Sequence, residues 1–207
     1  MVSAASDSPL IDRAKNQPTA VKVAVAGSFG VGKTTFIGSI SEIKPLSTEA
    51  EMTRASIGVD DLAATPHKHT TTVAFDYGRR TLDAHTVLHL FGVPGQQRFE
   101  ELWKSLFRGA LGAVVLVDTR RFDASFFALD RVEQAGMPFV VVHNVWGDED
   151  ARHTLEKIRA HLMLQEQVPV MACDARQRDS VRQVLITLVG YASGHYAALA
   201  GKETGRA

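Results

Sequence analysis

Residues 27–34 read Gly27-Ser28-Phe29-Gly30-Val31-Gly32-Lys33-Thr34, a complete G-x-x-x-x-G-K-T pattern, and nothing else in the chain restricts the fold as much. A β-branched run, Val21-Lys22-Val23-Ala24-Val25-Ala26, precedes it, and the helix-compatible Thr35-Phe36-Ile37 follows. Strand, glycine-rich turn and helix in that order make a phosphate-binding loop and imply a three-layer α/β fold. The reason is electrostatic. Gly27, Gly30 and Gly32 let the backbone curl so that successive N–H groups converge into an anion nest. A helix starting near Lys33 adds its N-terminal dipole. Ser28, Phe29, Val31 and Thr35 complete the expected nucleotide cradle. The Lys33 ammonium is expected to reach the β- and γ-phosphates, and the Thr34 hydroxyl a Mg2+ ion.

Composition narrows the class further. A chain of 207 residues with 45% hydrophobic content suits one domain with a sizeable core. Lys and Arg balance Asp and Glu at 23 each, so no overall basic field favours nucleic acid. Cys173 is the only cysteine, which rules out an internal disulfide and points to a reducing, cytoplasmic setting. No apolar run approaches the roughly 18 residues of a membrane span, so an integral membrane segment is not expected. Residues 1–20 lack the apolar stretch of a signal peptide, and the C-terminus carries no prenylation box; peripheral recruitment stays open.

Residues 1–20 read as a disordered arm and 197–207 as a flexible tail, leaving a domain over 21–196. Within it, strands are expected at Val21–Ala26, Thr72–Tyr77, His85–Phe91, Ala113–Val117, Phe139–Val142 and Val168–Cys173. Helices are expected at Lys33–Ser41, Arg98–Phe107, Ala124–Gln134, Asp150–Leu162 and Ser180–Tyr191. Gly78-Arg79-Arg80 looks like a hairpin turn between the second and third strands. The reading is a roughly six-stranded, mostly parallel sheet with one antiparallel edge strand and helices on both faces. Glu42–Thr71 is a long irregular loop and a candidate mobile switch.

A second motif follows the third strand: Leu88-His89-Leu90-Phe91-Gly92-Val93-Pro94-Gly95-Gln96-Gln97-Arg98-Phe99. Gly95 is suited to bring its N–H against a γ-phosphate and Gln96 to orient an attacking water. Phosphoryl transfer asks little more of a protein than positioning and charge. On this motif, the phosphate loop, the Thr-Thr-x-x-x-Asp-Tyr segment, Val117-Asp118-Thr119-Arg120-Arg121 and Cys173-Asp174-Ala175-Arg176, the chain resembles the bacterial Ras-like small GTPases. It is most similar to the conservon-associated (CvnD-like) ATP/GTP-binding proteins, related to the Mgl-type GTPases. The likeness spans about Val21–Ala192. It implies a GTP/GDP switch in signalling, Mg2+ dependence, and a roadblock-type regulatory partner among other conservon components; hydrolysis is expected to be slow, because Thr71 stands before Thr72 and supplies no arginine there. It also implies that Thr72, four residues before Asp76, binds the metal, with Thr70 and Thr71 as neighbouring alternatives. By the same likeness Gln96 positions water, with Lys33 as its catalytic partner, and Asp174 and Ala175 lie where the guanine oxygen is read.

Two departures from that family stand out. The usual Asp of Asp-x-x-Gly, which holds magnesium through a water, is Gly92; Asp118 and Asp76 are both open as replacements. The guanine-reading Asn-Lys-x-Asp is replaced by Asn144-Val145-Trp146-Gly147, with Asp148 one residue late. Asn144 and Asp148 remain candidate base contacts, with Trp146 as a stacking partner. These changes leave two alternatives beside a GTPase: a non-catalytic nucleotide-binding interaction module, and an ATP-preferring or base-promiscuous hydrolase. Among other residues, His67 and His69 read as solvated loop, Arg120 and Arg121 as solvated loop, Cys173 as apolar filler, and Phe122, Phe126 and Phe127 as core or partner surface.

Overall fold

The computed structural model describes residues 18–53, 70–95, 100–145 and 155–204. In chain order the elements are β1 (Thr19–Gly27), α1 (Lys33–Ile40), β2 (Leu46–Thr53), β3 (Thr70–Asp83), β4 (Thr86–Gly92) and α2 (Glu100–Phe107). Then come β5 (Gly112–Val117), a 3-10 turn (Thr119–Arg121), α3 (Asp123–Gln134), β6 (Phe139–Asn144), α4 (Leu155–His161), β7 (Val170–Cys173) and α5 (Arg178–Thr204). The sheet has seven strands in the order β2-β3-β4-β1-β5-β6-β7. β1 pairs in parallel with both β4 and β5, and β5–β6 and β6–β7 are parallel as well. β3 is antiparallel to both its neighbours.

The expected α/β class and mostly parallel sheet hold, with two corrections. The antiparallel strand is second from the edge, because β2 lies outside it. β2 falls in the stretch expected to be an irregular loop; its sequence, LSTEAEMT, alternates Leu46, Ala50 and Met52 with Ser47, Glu49, Glu51 and Thr53, a period-two pattern that a strand explains. The hairpin turn is at Ala84–His85, beginning four residues beyond Arg80, and Asp83 Oδ1 closes it by accepting from the His85 N–H at 2.7 Å. Gly78 serves close packing instead. A Cβ there would stand 2.4 Å from Ile37 Cγ2, so its absence lets α1 lie against β3.

Continuous apolar strands bury both faces of the sheet centre, as parallel sheets require. Val114 and Leu116 of β5 join Phe36, Ile37, Val181 and Leu188 on the α1/α5 face. Ala113, Val115 and Val117 join Trp103, Leu129 and Ile158 on the α2/α3/α4 face. Phe122, Phe126 and Phe127 pack against this second cluster, and Cys173 is buried in the first.

Three ends also move. β1 begins at Thr19, inside the expected arm, of which 1–17 lie outside the described residues. α5 starts at Arg178, two residues before the expected Ser180, and continues through Thr204, so the expected tail from 197 is largely helical. Within it, Arg178–Gly201 is long and apolar enough to cross a membrane by length and composition alone. Val181, Val184, Leu188 and Ala192 nevertheless lie fully buried in the fold, while Ile186, Val189, Tyr196 and Leu199 are exposed. This is the pattern of a helix packed on one face.

Candidate nucleotide site

The loop expected to hold phosphates connects the carboxyl end of β1 to α1, at the end of the sheet where such folds bind ligands. Gly27, Gly30 and Gly32 all have positive φ, at 136°, 77° and 106°. Gly32 caps α1 with no side-chain hydrogen bond, and no acidic residue sits in the first turn. The helix N-terminus therefore keeps its N–H groups and its positive dipole end for an anion. The Ser28 hydroxyl is buried with no hydrogen-bond partner, a polar group inside the loop that a ligand oxygen would satisfy.

Lys33 Nζ folds over the loop and donates to the carbonyls of Gly27 at 3.0 Å and Ser28 at 2.8 Å. Burial lowers its pKa to about 8, against the opposing pull of Asp76. Thr34, exposed at the start of α1, donates its hydroxyl to Asp76 Oδ2 at 2.6 Å. Asp76 lies on β3, and Gly92 ends β4 beside it. A Cβ on Gly92 would meet Asp76 Cβ at 3.0 Å, Ile37 Cδ1 at 3.2 Å and Asp76 Oδ2 at 3.3 Å. Gly95 packs directly on the phosphate loop: a Cβ there would stand 2.7 Å from the Phe29 nitrogen and 2.8 Å from the Gly27 oxygen. Only glycine allows this approach, which brings the second motif onto the first as the sequence suggested. Gln96 and Asp148 lie outside the described residues. Thr72 is within β3, paired in register with Glu51.

Asn144 and Ala175 meet at the opposite side of the loop. Asn144 is 1% exposed; its Nδ2 donates to the Val31 carbonyl at 2.8 Å and its Oδ1 accepts from the Ala175 N–H at 3.1 Å. One side chain thus ties the phosphate loop to the β7–α5 connection. Asp174 turns its carboxylate onto Arg176, with bonds of 2.8 Å from both Nε and Nη2, and this hydrogen bonding lowers the Asp174 pKa. The Asp174 N–H donates to Ser180 Oγ at 3.2 Å, tying the β7–α5 connection to the first turn of α5.

Sequence reasoning missed Arg121. Arg120 and Arg121 are largely exposed, as expected, but both also pair with Asp118, which is 1% exposed. Arg120 makes two bonds to it, at 2.9 and 3.0 Å, and Arg121 Nη2 lies 3.6 Å from Oδ2. Burial alone would raise the Asp118 pKa; the Arg120 hydrogen bonds and the charges of both arginines hold it below the ordinary carboxylate value. The same Arg121 Nη2 donates to the Phe29 carbonyl at 3.3 Å and lies 3.7 Å from where a Cβ on Gly30 would be. The signal was available only as an Asp followed by two arginines after a buried strand. A separate cleft of about 460 Å3 between α2 and α3, lined by Trp103, Phe107, Arg131 and Met137, includes no phosphate-loop residue.

A curled glycine loop between a buried strand and a helix, with a lysine folded over it and a threonine beneath, defines a P-loop nucleotide-binding domain. Residues 25–195 match the model of a family described as conserved hypothetical ATP binding protein, and the chain belongs to that family. An uncharacterized protein of Methanocaldococcus jannaschii is 33% identical over 101 residues, covering 49% of this chain and 53% of that protein. The match thus spans about half of that relative's length. The Ypt/Rab-type GTPase ypt7 of Pyricularia oryzae is 28% identical over 176 residues, covering 79% of this chain and 77% of the relative. Among solved structures, the G domain of the T. maritima FeoB iron transporter superposes with a TM-score of 0.59 at 20% identity, covering 84% of this chain and 99% of that one. The alignment spans 64% of the larger FeoB cytosolic domain. That likeness establishes a G-domain fold.

Proposed function

We propose that the chain is a small GTPase switch that binds GTP or GDP with Mg2+, hydrolyses GTP slowly, and signals through the segments flanking the phosphate loop. The carrying observation is the loop itself: positive-φ glycines, a capless helix N-terminus and Lys33 converge on one anion site. Lys33 is free to exchange its two carbonyl bonds for phosphate oxygens, and the amides of Ser28–Thr35 cradle the β-phosphate. The hard oxygen of Thr34 suits Mg2+, which takes few protein ligands and fills its shell with phosphate and water oxygens; Thr72 lies four residues along β3 from Asp76, about 13 Å away, and would join the ion only after that end of β3 moves. When bound, that ion neutralises charge on the β- and γ-phosphates. Gly95 seats its N–H beside the γ-phosphate, and Gln96, the next residue, aligns the attacking water. Asn144 braces the loop and accepts from the Ala175 N–H, which must be shared with or released to a base oxygen for Ala175 to read it; Asp148 is the other candidate base reader. The resemblance noted for the sequence further suggests a cytoplasmic setting and a roadblock-type regulator with other conservon components as partners.

Arg121 supplies a second cation in cis. Its guanidinium is oriented by a buried carboxylate and rests on the loop at Phe29 and Gly30. Arginines facing a transferring phosphoryl group contribute about 10³–10⁵ in rate. Arg121→Ala is expected to slow single-turnover GTP hydrolysis by up to about 10³-fold, well beyond any change in nucleotide affinity, and Arg121→Lys to recover part of the loss. Equal rates for wild type and Arg121→Ala would reject this role.

The base is the open choice. Rab-type relatives favour guanine, whereas the family description names ATP and Gly147 stands where a carboxylate would read guanine. An ATP-preferring or base-tolerant site is therefore the second reading. Competition of ATP and GTP against a fluorescent GDP analogue decides between them. A guanine-reading site prefers GTP by orders of magnitude, up to about 10⁴; comparable inhibition by both nucleotides selects the second reading. Turnover insensitive to Gln96→Leu would remove the hydrolase assignment and leave a nucleotide-binding module.

A further inference from the structure

The cleft between α2 and α3 lies at the pole of the sheet opposite the phosphate loop. Phe107 ends α2 shortly before the amino end of β5, and Gln134 ends α3 shortly before the amino end of β6, whereas the loop leaves the carboxyl end of β1. The volume of the cleft, about 460 Å3, falls within the range of small-molecule sites, about 300–1,000 Å3. Its floor is aromatic: Trp103 and Phe107 meet edge to face with ring centres 5.4 Å apart, and Met137 shares the lining. Its charge has one sign. The exposed Lys104 and Arg108 and the half-buried Arg131 line it, and no carboxylate does among the described residues. In a chain whose formal charges sum to zero, this is a local concentration of cations. We propose that the α2–α3 cleft binds a small anion with an apolar body, an aromatic or branched carboxylate or phosphate, and that its occupancy is passed to the nucleotide site through Trp103. The anion site stands apart from the nucleotide reading above; the coupling rests on it.

Two helix C-termini meet at this cleft, and their dipoles alone would repel an anion. Both ends are covered. Lys22 Nζ, reaching over from β1, donates to the Arg108 carbonyl at 3.0 Å and to the Ser105 carbonyl at 3.4 Å. The N–H groups of Ala135 and Gly136 donate to the carbonyls of Arg131 and Glu133, at 3.1 and 2.9 Å. With those acceptors engaged, the cations set the sign of the cleft. Arg131 is held for planar recognition: its guanidinium lies over the Phe127 ring at 5.3 Å, and its Nη1 donates to Gln134 Oε1 at 3.2 Å. A guanidinium fixed in this way offers a fork of donors that matches a carboxylate or phosphate. The floor is also connected to the nucleotide site. Trp103 Nε1 donates to the Pro94 carbonyl at 3.0 Å, and the next residue, Gly95, packs against the Phe29 nitrogen of the phosphate loop. A ligand that braces Trp103 therefore braces the contact between the two motifs.

The probe is anilinonaphthalene sulfonate, an aromatic anion whose emission rises in an apolar site, with N-phenylnaphthylamine as its uncharged counterpart. The full chain is expected to bind one equivalent of the sulfonate and to hold the neutral compound at least about tenfold more weakly, the loss of a charge-assisted contact. Arg131→Gln, and Lys104→Gln with Arg108→Gln in one variant, should each weaken the sulfonate about tenfold and leave the neutral compound unaffected. Lys104 and Arg108 are exposed, so their variant decides the matter even where Arg131→Gln fails to fold. Equal binding of the two compounds, or a sulfonate affinity that survives the charge changes, overturns the site. The coupling is read as release of a red-fluorescent GDP analogue. Saturating sulfonate should slow release from wild type by about 5-fold or more. It should leave release unchanged in Trp103→Phe, which keeps an aromatic floor but loses the bond to Pro94. An unaltered rate in wild type, or equal slowing in Trp103→Phe, rejects the coupling. If wild type binds no GDP analogue at all, the nucleotide reading and the coupling fall together, while the sulfonate titrations still decide the anion site.

Discussion

Replacing Lys33 by alanine is expected to abolish nucleotide binding at micromolar concentrations while leaving the fold intact. In the structure Lys33 Nζ bonds only loop carbonyls, those of Gly27 and Ser28, so no core contact depends on it. Truncating one partner of a buried, hydrogen-bonded charge pair costs about 2–5 kcal/mol, or about 30-fold to several thousand-fold in affinity. Lys33 belongs at the upper end, because a polyphosphate concentrates charge on this one ammonium. The pH dependence carries a sharper signature. Burial has already lowered the Lys33 pKa to about 8. Between that value and the lysine value of the unfolded chain, about 10.4, the unfolded state binds the extra proton. The stability of the protein without ligand therefore rises with pH across this window as far as Lys33 is concerned. Nucleotide affinity moves the opposite way. Polyphosphate demands the ammonium, so binding above pH 8 must take up a proton, and affinity should fall by up to about tenfold per pH unit. Titration calorimetry in buffers of different ionisation enthalpy measures that proton directly. Lys33→Arg, which keeps its charge, should flatten the profile. A wild-type affinity constant from pH 7 to 9.5 would show that the ammonium does not meet the phosphates.

The same residues show what a sequence conveys and what it withholds. The phosphate loop was legible because its information is local: the glycine positions fix the backbone and the neighbours fix the strand and helix. β5 and β6 were legible because burial on both faces leaves an uninterrupted apolar run. Gly78 misled because a glycine used for helix approach and one used for a turn look alike until the partner, Ile37, is known. β2 was passed over because its alternation of Leu46, Ala50 and Met52 with polar residues includes no Val, Ile or aromatic residue. α5 was begun two residues late, at Ser180, whose hydroxyl accepts from the Asp174 N–H in the connection just before the helix. That Thr34 meets Asp76, and not Asp118, depended on β3–β4 register, and the direction of Arg121 depended on a buried carboxylate. Both are long-range facts that spacing along the chain does not contain.

The second large effect falls on folding, and it tests the loop without any nucleotide. Gly27 ends β1 with φ at 136°, a region closed to side chains, and pairs with Leu116 of β5. A Cβ there would stand 2.5 Å from the Leu116 carbonyl oxygen and 2.9 Å from Val31 Cγ1. The first contact is backbone in the centre of the sheet and cannot rotate away, so β1 and β5 would have to part. Backbone strain of about 1–3 kcal/mol and overpacking of about 1–3 kcal/mol together predict a loss of about 2–6 kcal/mol for Gly27→Ala. Against a total of about 5–15 kcal/mol for an ordinary domain, that leaves the variant marginal at best. Gly136→Ala is the control: φ there is 64°, but nothing lies within 4 Å of the added carbon. It should cost only the left-handed strain, about 1–2 kcal/mol. Urea midpoints of the two variants separate clash from strain, because both carry the second and only one carries the first. Equal midpoints would mean that β1 and β5 are not packed at the loop as tightly as the structure has them, and the curl that positions Lys33 would then lose its rigid base.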